Sequence, residues 1–252
     1  MKTSSLLFCA TIFYSSCNYA DEPSIKSPGA DIANFPNGSF TLPQGNAYLE
    51  AGGNYNSKSS YSPEQYNAGY LLRYGLTDNI ELRVMSNGYT FVHDEAKTQG
   101  MSPQTFDIKW HLMDENDFLP SLAVEFGTQT TWASDNFKDS TLPFLGLNFD
   151  HSLPFDVALN YSIGFDSQLD DNGNKEYLLA LGWAFQREVV EDVAVFVDGY
   201  TNTAAGLTTS AIGGGGQWTP TARIAIFTNI AAGLTESTPS IYALLGFAVA
   251  VF

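Results

Sequence analysis

The sequence predicts an all-β chain: an antiparallel transmembrane β-barrel of about 12 strands in meander order. Three observations carry this. Residues 104–112 read Gln-Thr-Phe-Asp-Ile-Lys-Trp-His-Leu, so Phe106, Ile108, Trp110 and Leu112 share one face of a strand. Thr105, Asp107, Lys109 and His111 share the other, and this apolar–polar alternation recurs along the chain. Beyond the N-terminal 20 residues no stretch has the ~18 consecutive apolar residues of a membrane helix. The longest apolar stretch, Ile241 to the aromatic terminus Phe252, suits one tilted membrane strand of about 9–11 residues.

The N-terminus comes first. Lys2, the apolar run Leu6 to Tyr14 and the small or polar residues before Ala20 form a secretory signal over residues 1–20. Tyr14-Ser15-Ser16-Cys17 lacks the aliphatic residue of a lipoprotein signal, which favours cleavage after Ala20 over lipidation at Cys17. Both cysteines, Cys9 and Cys17, fall in this segment, so the secreted chain is expected to need no disulfide. Residues 21–44 carry Pro and Asn without periodicity and read as a periplasmic leader or a plug folding into the lumen. The barrel is expected over 45–252.

Its strands are expected near 45–55, 65–75, 80–89, 104–112, 120–130, 141–151, 155–166, 176–186, 193–200, 207–217, 222–232 and 240–252. In the second, Tyr66, Ala68, Tyr70, Leu72 and Tyr74 point outward and Asn67, Gly69 and Arg73 inward. The seventh puts out Val157, Leu159, Tyr161, Ile163 and Phe165; the eighth puts out Tyr177, Leu179, Leu181, Trp183 and Phe185. A soluble sandwich has the same alternation with its apolar face inside. Aromatic rings near strand ends, short turns alternating with longer polar loops, and an even strand count favour the barrel. Closure also removes edges that hydrocarbon does not tolerate. Two strands are unusual. The last is apolar on both faces, so either that lumen wall is apolar or the leader packs on it. The tenth contains Gly213–Gly216, marking a tight corner or room for a plug.

Lumen-facing charges are the candidate functional residues. Arg73, Glu81, Arg83, Asp107, Lys109, His111 and Glu125 fall on neighbouring strands as one mixed-charge patch toward the periplasmic end. Asp156, Asp198 and Arg223 sit on other strands. Such a set forms a cross-strand ion-pair network that stiffens the wall, an electrostatic constriction that selects solutes, or both.

Two stretches resemble a known family. One is Ala33-Asn34-Phe35-Pro36-Asn37-Gly38-Ser39-Phe40-Thr41-Leu42-Pro43-Gln44-Gly45; the other is Leu71-Leu72-Arg73-Tyr74-Gly75-Leu76-Thr77-Asp78-Asn79-Ile80-Glu81-Leu82-Arg83. Together they resemble the outer-membrane proteins named for the MetA pathway of phenol degradation, related to the barrel of the functional-amyloid secretion pore. The resemblance implies a barrel of about 12 strands and a transport role, with no catalytic residue to carry over and no substrate fixed. Read without it, Thr77-Asp78-Asn79 is turn chemistry, because Asp and Asn bond their own backbone.

Other chemistries find little support. With 11 Lys and Arg against 27 Asp and Glu and a formal net charge of −16, nucleic acid is excluded as a partner. The three histidines, His93, His111 and His151, have no metal-ligand spacing, so no metal and no cofactor is expected. An enzyme site would need His93 with Ser86 or Ser102 and Asp94 or Glu95, and no nucleophile elbow is present. Asp166–Asn174 reads as a hydrated outer loop without EF-hand spacing. Expected partners are outer-membrane lipid and lipopolysaccharide, the barrel-assembly machinery reading the strand that ends at Phe252, and a second copy of the chain. The sequence thus points to a non-enzymatic outer-membrane channel or transporter for small solutes; that these are aromatic or moderately apolar is what the resemblance implies, together with the apolar last strand. A polypeptide export pore and a lipid-modifying enzyme are the alternatives.

Overall fold

The computed structural model describes residues 23–138, 140–169 and 173–252. The signal segment expected at 1–20 lies outside the described residues.

Alternation along each strand fixes the register, because a one-residue slip would turn every apolar side chain into the lumen. The first strands are β1 (Ala47–Asn56), β2 (Glu64–Thr77), β3 (Ile80–His93) and a short β4 (Gln99–Met101). They are followed by β5 (Thr105–Met113), β6 (Ser121–Gln129), β7 (Leu142–Leu153), β8 (Val157–Leu169) and β9 (Lys175–Val190). The chain ends with β10 (Val193–Ala204), β11 (Leu207–Thr221), β12 (Ile224–Gly233) and β13 (Ile241–Ala250). Every neighbouring pair is antiparallel, and β13 closes on β1, from Tyr48 opposite Ala250 to Asn56 opposite Tyr242. The result is a closed 12-stranded meander barrel, with β4 an additional ribbon folded back on the outer half of β3.

β4 falls within 90–103, which reads as a loop in the sequence; β3 runs on to His93 and Asp94–Thr98 turns the chain back. β9 and β10 likewise outrun their expected ends at 186 and 200. Apolar alternation stops there because the strands leave the membrane, while their ladder of hydrogen bonds continues into water. Asp166 to Leu169 belong to β8 rather than to an outer loop, and Asp170, Asp171 and Asn172 lie outside the described residues. The connections on one rim are tight. Phe155 and Asp156 both take left-handed φ, 68° and 57°, as a twisted two-strand turn requires. Asn79 is held in its turn by the Thr77 hydroxyl, which accepts its N–H at 3.3 Å.

Leu72, Phe106, Trp110, Phe126, Leu181, Phe185, Ile230 and Phe247 stand exposed on the outer surface. A continuous apolar belt of this kind is the surface of a chain solvated by acyl tails. The protein is therefore an outer-membrane barrel, with both ends of the barrel and its tight turns at the periplasmic rim.

Pairing with β10 and β12 runs through Gly213–Gly216 without a shift, so the four glycines form no bulge in β11. A Cβ on Gly215 would come within 2.7 Å of the Phe196 ring, and one on Gly213 within 2.6 Å of the Ala231 methyl. The bare stretch makes room for wall side chains.

Candidate functional site

Two rows of cross-strand neighbours set the chemistry of the lumen. Tyr48, Arg73, Arg83, Asp107, Gly127, Phe144 and Asp166 lie side by side from β1 to β8. Nearer the periplasm, Glu81, Lys109, Glu125, Gly146, Gly164 and Ala180 run from β3 to β9. The lower row is charged at one end and changes to small residues at the other; the upper row passes from charges to Gly127 and Phe144 and ends on Asp166.

The leader fills the charged side. Residues 23–44 enter at the periplasmic rim, where Ile25 N–H donates to the Ala222 carbonyl at 2.7 Å and Lys26 pairs with Asp192. The chain climbs to Phe35, whose ring sits 4.8 Å from Tyr200 and 5.4 Å from Tyr242 between centroids. It then descends to Gly45, whose N–H donates to the Gly75 carbonyl at 2.9 Å. A Cβ on Gly75 would stand 2.5 Å from the Leu42 carbonyl oxygen and nearer still to that of Pro43, so only glycine lets the leader pass over β2 here.

Backbone amides do much of the holding. Ile32 N–H donates to Glu50 at 3.0 Å, Phe35 N–H to Asp198 at 3.1 Å, Leu42 N–H to Glu81 at 2.8 Å and Gln44 N–H to Asp78 at 3.0 Å. Ser39 N–H donates to Asp150. Hydrogen bonds to ionised acceptors are short and strong, and here they compensate Glu50, Glu81, Asp150 and Asp198, which are buried away from water. One leader side chain reaches all three lumenal cations: the Asp31 carboxylate bonds Lys109 and lies 3.5 Å from both Arg73 and Arg83. Burial alone would push the Asp31 carboxyl up; the fields of Arg73, Lys109 and Arg83 overcome that and hold it well below the usual carboxylate range.

Around Asp31 the wall charges interlock. Arg73 donates from Nε and Nη2 to the two oxygens of Glu81 at 2.8 and 3.0 Å, and from Nη1 to Glu50 and the Gly29 carbonyl, both at 3.0 Å. Arg83 donates to Glu125 at 2.6 Å and lies 3.3 Å from Asp107. His111 sits at the rim, 3.0 Å from the Ser39 carbonyl and stacked on Phe40.

Opposite the charges, Ile25, Ala33 and Leu42 of the leader pack on Tyr48, Phe227, Leu244 and Ala248. The second apolar face of the last strand is thus the leader's seat. Removing such side chains from water is worth about 1.5–3 kcal/mol each for a residue the size of Leu.

Of the lumen candidates from the sequence, Arg73, Glu81, Arg83, Asp107, Lys109 and Glu125 come together in this cluster, while Asp198 sits apart beneath Phe35. Asp156 and Arg223 are corrections: both are exposed in periplasmic turns, Asp156 between β7 and β8 and Arg223 between β11 and β12. Each falls one residue before its strand starts, where alternation no longer dictates a face. Asp31, Glu50 and Asp150 escaped notice. Glu50 shares its parity with the inward Tyr48 and Asp150 with the inward Asn148, so both were legible; Asp31 lies in an aperiodic segment with no such signal. The residues of the enzymatic alternative do not assemble. Ser86 and Ser102 bond backbone and Thr90, Asp94 holds Thr98, and the His93 side chain makes no hydrogen bond among the described residues.

Beyond the small residues of β6–β9 a cavity of about 410 Å³ opens on the extracellular side of the leader, lined by Phe35 and Asn37 and by Glu125, Phe144, Gly164 and Asp166 of the wall. A second space of about 360 Å³ lies between leader and wall toward the periplasm, beside Asp150, Asn160 and Gln217.

Fold and lumen together define a plugged, 12-stranded outer-membrane barrel of porin-like architecture. A family model described as "Putative MetA-pathway of phenol degradation" matches residues 30–251, and the chain belongs to that family. Among solved structures, an outer-membrane channel of Pseudomonas putida F1 superposes with a TM-score of 0.63 at 14% identity, covering 86% of this chain and 99% of the other. The NanC porin gives 0.57 at 9% identity, covering 80% and 98%. The KdgM porin in complex with disordered oligogalacturonate gives 0.57 at 6% identity, covering 81% and 99%. At these identities the likeness is one of fold. A comparison with curated proteins finds no match.

Proposed function

We propose that this protein is a passive channel for small solutes in the outer membrane, closed at rest by residues 23–44 and opened when they leave the lumen. The observation that carries the reading is how the leader is held. From Ile25 to Leu42 it is bound by amide-to-carboxylate bonds, one ion cluster and an apolar seat, without pairing along any barrel strand. It can therefore depart while the closed wall keeps its hydrogen bonds, and the carboxylates it uncovers become a hydrated polar lining. The wall is not catalytic in this reading: its charged groups shape and screen a path. Lipid and lipopolysaccharide surround the belt, and the terminal strand, whose Val251 N–H donates to the Ala47 carbonyl at 2.7 Å, is the segment offered to an assembly factor.

A disulfide lock tests the gate. The Ser39 and Ser121 hydroxyl oxygens are 2.6 Å apart, and the described residues contain no cysteine. The pair Ser39→Cys and Ser121→Cys should give a chain that is silent in planar bilayers when oxidised and conducts when reduced. Equal conductance in both states, or none in either, would defeat the reading.

A second reading, polypeptide export, draws on the same amides, since a wall that grips backbone N–H groups would grip any extended peptide. Deletion of the gene with surface-exported polypeptides unchanged would dispose of it.

A further inference from the structure

We infer that the extracellular cavity is a binding site for a small organic cation, an ammonium group carried on a ring or short apolar body. The inference names a substrate class for the channel reading and rests on it only for passage, not for binding.

The sign of charge in the lumen is the first argument. Of the described Lys and Arg residues only Arg73, Arg83 and Lys109 are buried within the barrel, and all three are engaged by carboxylates of the central cluster. Lys26, Lys58, Lys97, Lys138, Lys175, Arg187 and Arg223 are exposed. No cation lines the cavity, whereas Glu125 and Asp166 both do. Glu125 is already occupied by Arg83, Asn37 and Asn148. Asp166 has no hydrogen-bond or ion-pair partner among the described residues, and both its oxygens lie 3.7 Å from where a Cβ of Gly164 would stand, over the floor of the cavity. A half-buried carboxylate with no partner, in a space without cations, attracts a positive charge and repels a negative one.

Shape is the second. Gly146, Gly164 and Ala180 stand opposite one another on β7, β8 and β9, in the row where the neighbouring strands carry Glu81, Lys109 and Glu125. The missing side chains are what leave the space, and its volume falls in the ~300–1,000 Å³ range of small-molecule sites. Phe144 stands directly opposite Asp166 across the β7–β8 ladder, and Phe35 and Met85 also line the space. A carboxylate beside an aromatic face takes a cation with an apolar body, by ion pair and cation–π contact together. The polyanion held by the KdgM porin would find no free cation here.

Calorimetry on the purified barrel in detergent tests this with three ligands of one shape: 2-phenylethylammonium, the neutral 2-phenylethanol and the anion phenylacetate. The cation should bind more tightly than the alcohol, and the anion not at all. Asp166→Asn should weaken cation binding roughly tenfold while leaving the alcohol unchanged, and Ala180→Leu, which fills the space, should abolish binding of both. Each variant's fold is checked by its heat-dependent gel mobility. Equal binding of all three ligands, tighter binding of the anion, or an Asp166→Asn variant that binds the cation as the parent does would overturn the inference. Conductance measured on the same preparations separates the two claims. Cation binding in a barrel that stays silent even when its leader is released, as in the reduced Ser39→Cys and Ser121→Cys chain, counts against the channel, and conductance without cation-selective binding counts against the site.

Discussion

The walls on the two sides of the lumen use the same strand geometry for opposite ends. From β2 to β6 the inward positions carry Arg73, Glu81, Arg83, Asp107, Lys109 and Glu125, and the leader is drawn against them through Asp31 and its own amides. From β7 to β9 the same row carries Gly146, Gly164 and Ala180 and space remains, the leader meeting these strands nearer the periplasm, at Asp150 and Gly182. A barrel wall contributes one inward side chain per cross-strand position, so the choice between charge and glycine at a few positions decides whether a segment is gripped or a cavity left. Occlusion is therefore local: one half of the lumen is a seat, the other a vestibule.

The contrast can be broken most forcefully at Asp31. Asp31→Lys sets a cation against Arg73, Arg83 and Lys109, and disrupting such a buried set costs about 3–5 kcal/mol. The leader should leave the lumen, read as rapid proteolysis within residues 23–44 and a large rise in bilayer conductance, with the barrel itself intact. Next comes the apolar side of the seat: Leu42 is fully buried, and Leu42→Ala should weaken docking by about 2–4 kcal/mol in the same protease assay. Gly75→Ala places a methyl against the Leu42 and Pro43 carbonyls and should cost roughly 1–3 kcal/mol of docking without altering the β2–β3 pairing.

Acid should act more gently. The Asp31 carboxyl is held below its ordinary value of 3.8 by three cations, so its contribution is complete above that pH and drains away only as pH falls toward the lowered value. Leader protection should then be level from pH 8 to 5 and decline by about 1 kcal/mol by pH 3. A loss of protection between pH 8 and 6 would mean that some other group sets the docking. The smallest effect belongs to the vestibule wall. A Cβ on Gly146 would meet only Glu125, at 3.6 Å from its Cβ and 3.8 Å from its carbonyl oxygen, so Gly146→Ala should leave leader protection within about 0.5 kcal/mol of the parent. A larger change would mean that the two walls are not independent.

Strand existence, closure and the side each residue faces were written in the alternation itself, because lipid and water sort residues with a period of two. That same rule picked out the charges from Arg73 to Glu125, and it failed at Asp156 and Arg223, where the chain is turning and no solvent boundary imposes a face. What the local pattern could not carry was the meeting of sequence-distant segments: that Asp31 lies among Arg73, Arg83 and Lys109, that the doubly apolar β13 is a seat for Ile25 and Leu42, and that Gly146, Gly164 and Ala180 line up into a void. Those facts depend on the stagger between strands and on the path of an aperiodic leader, and only the closed barrel fixes both.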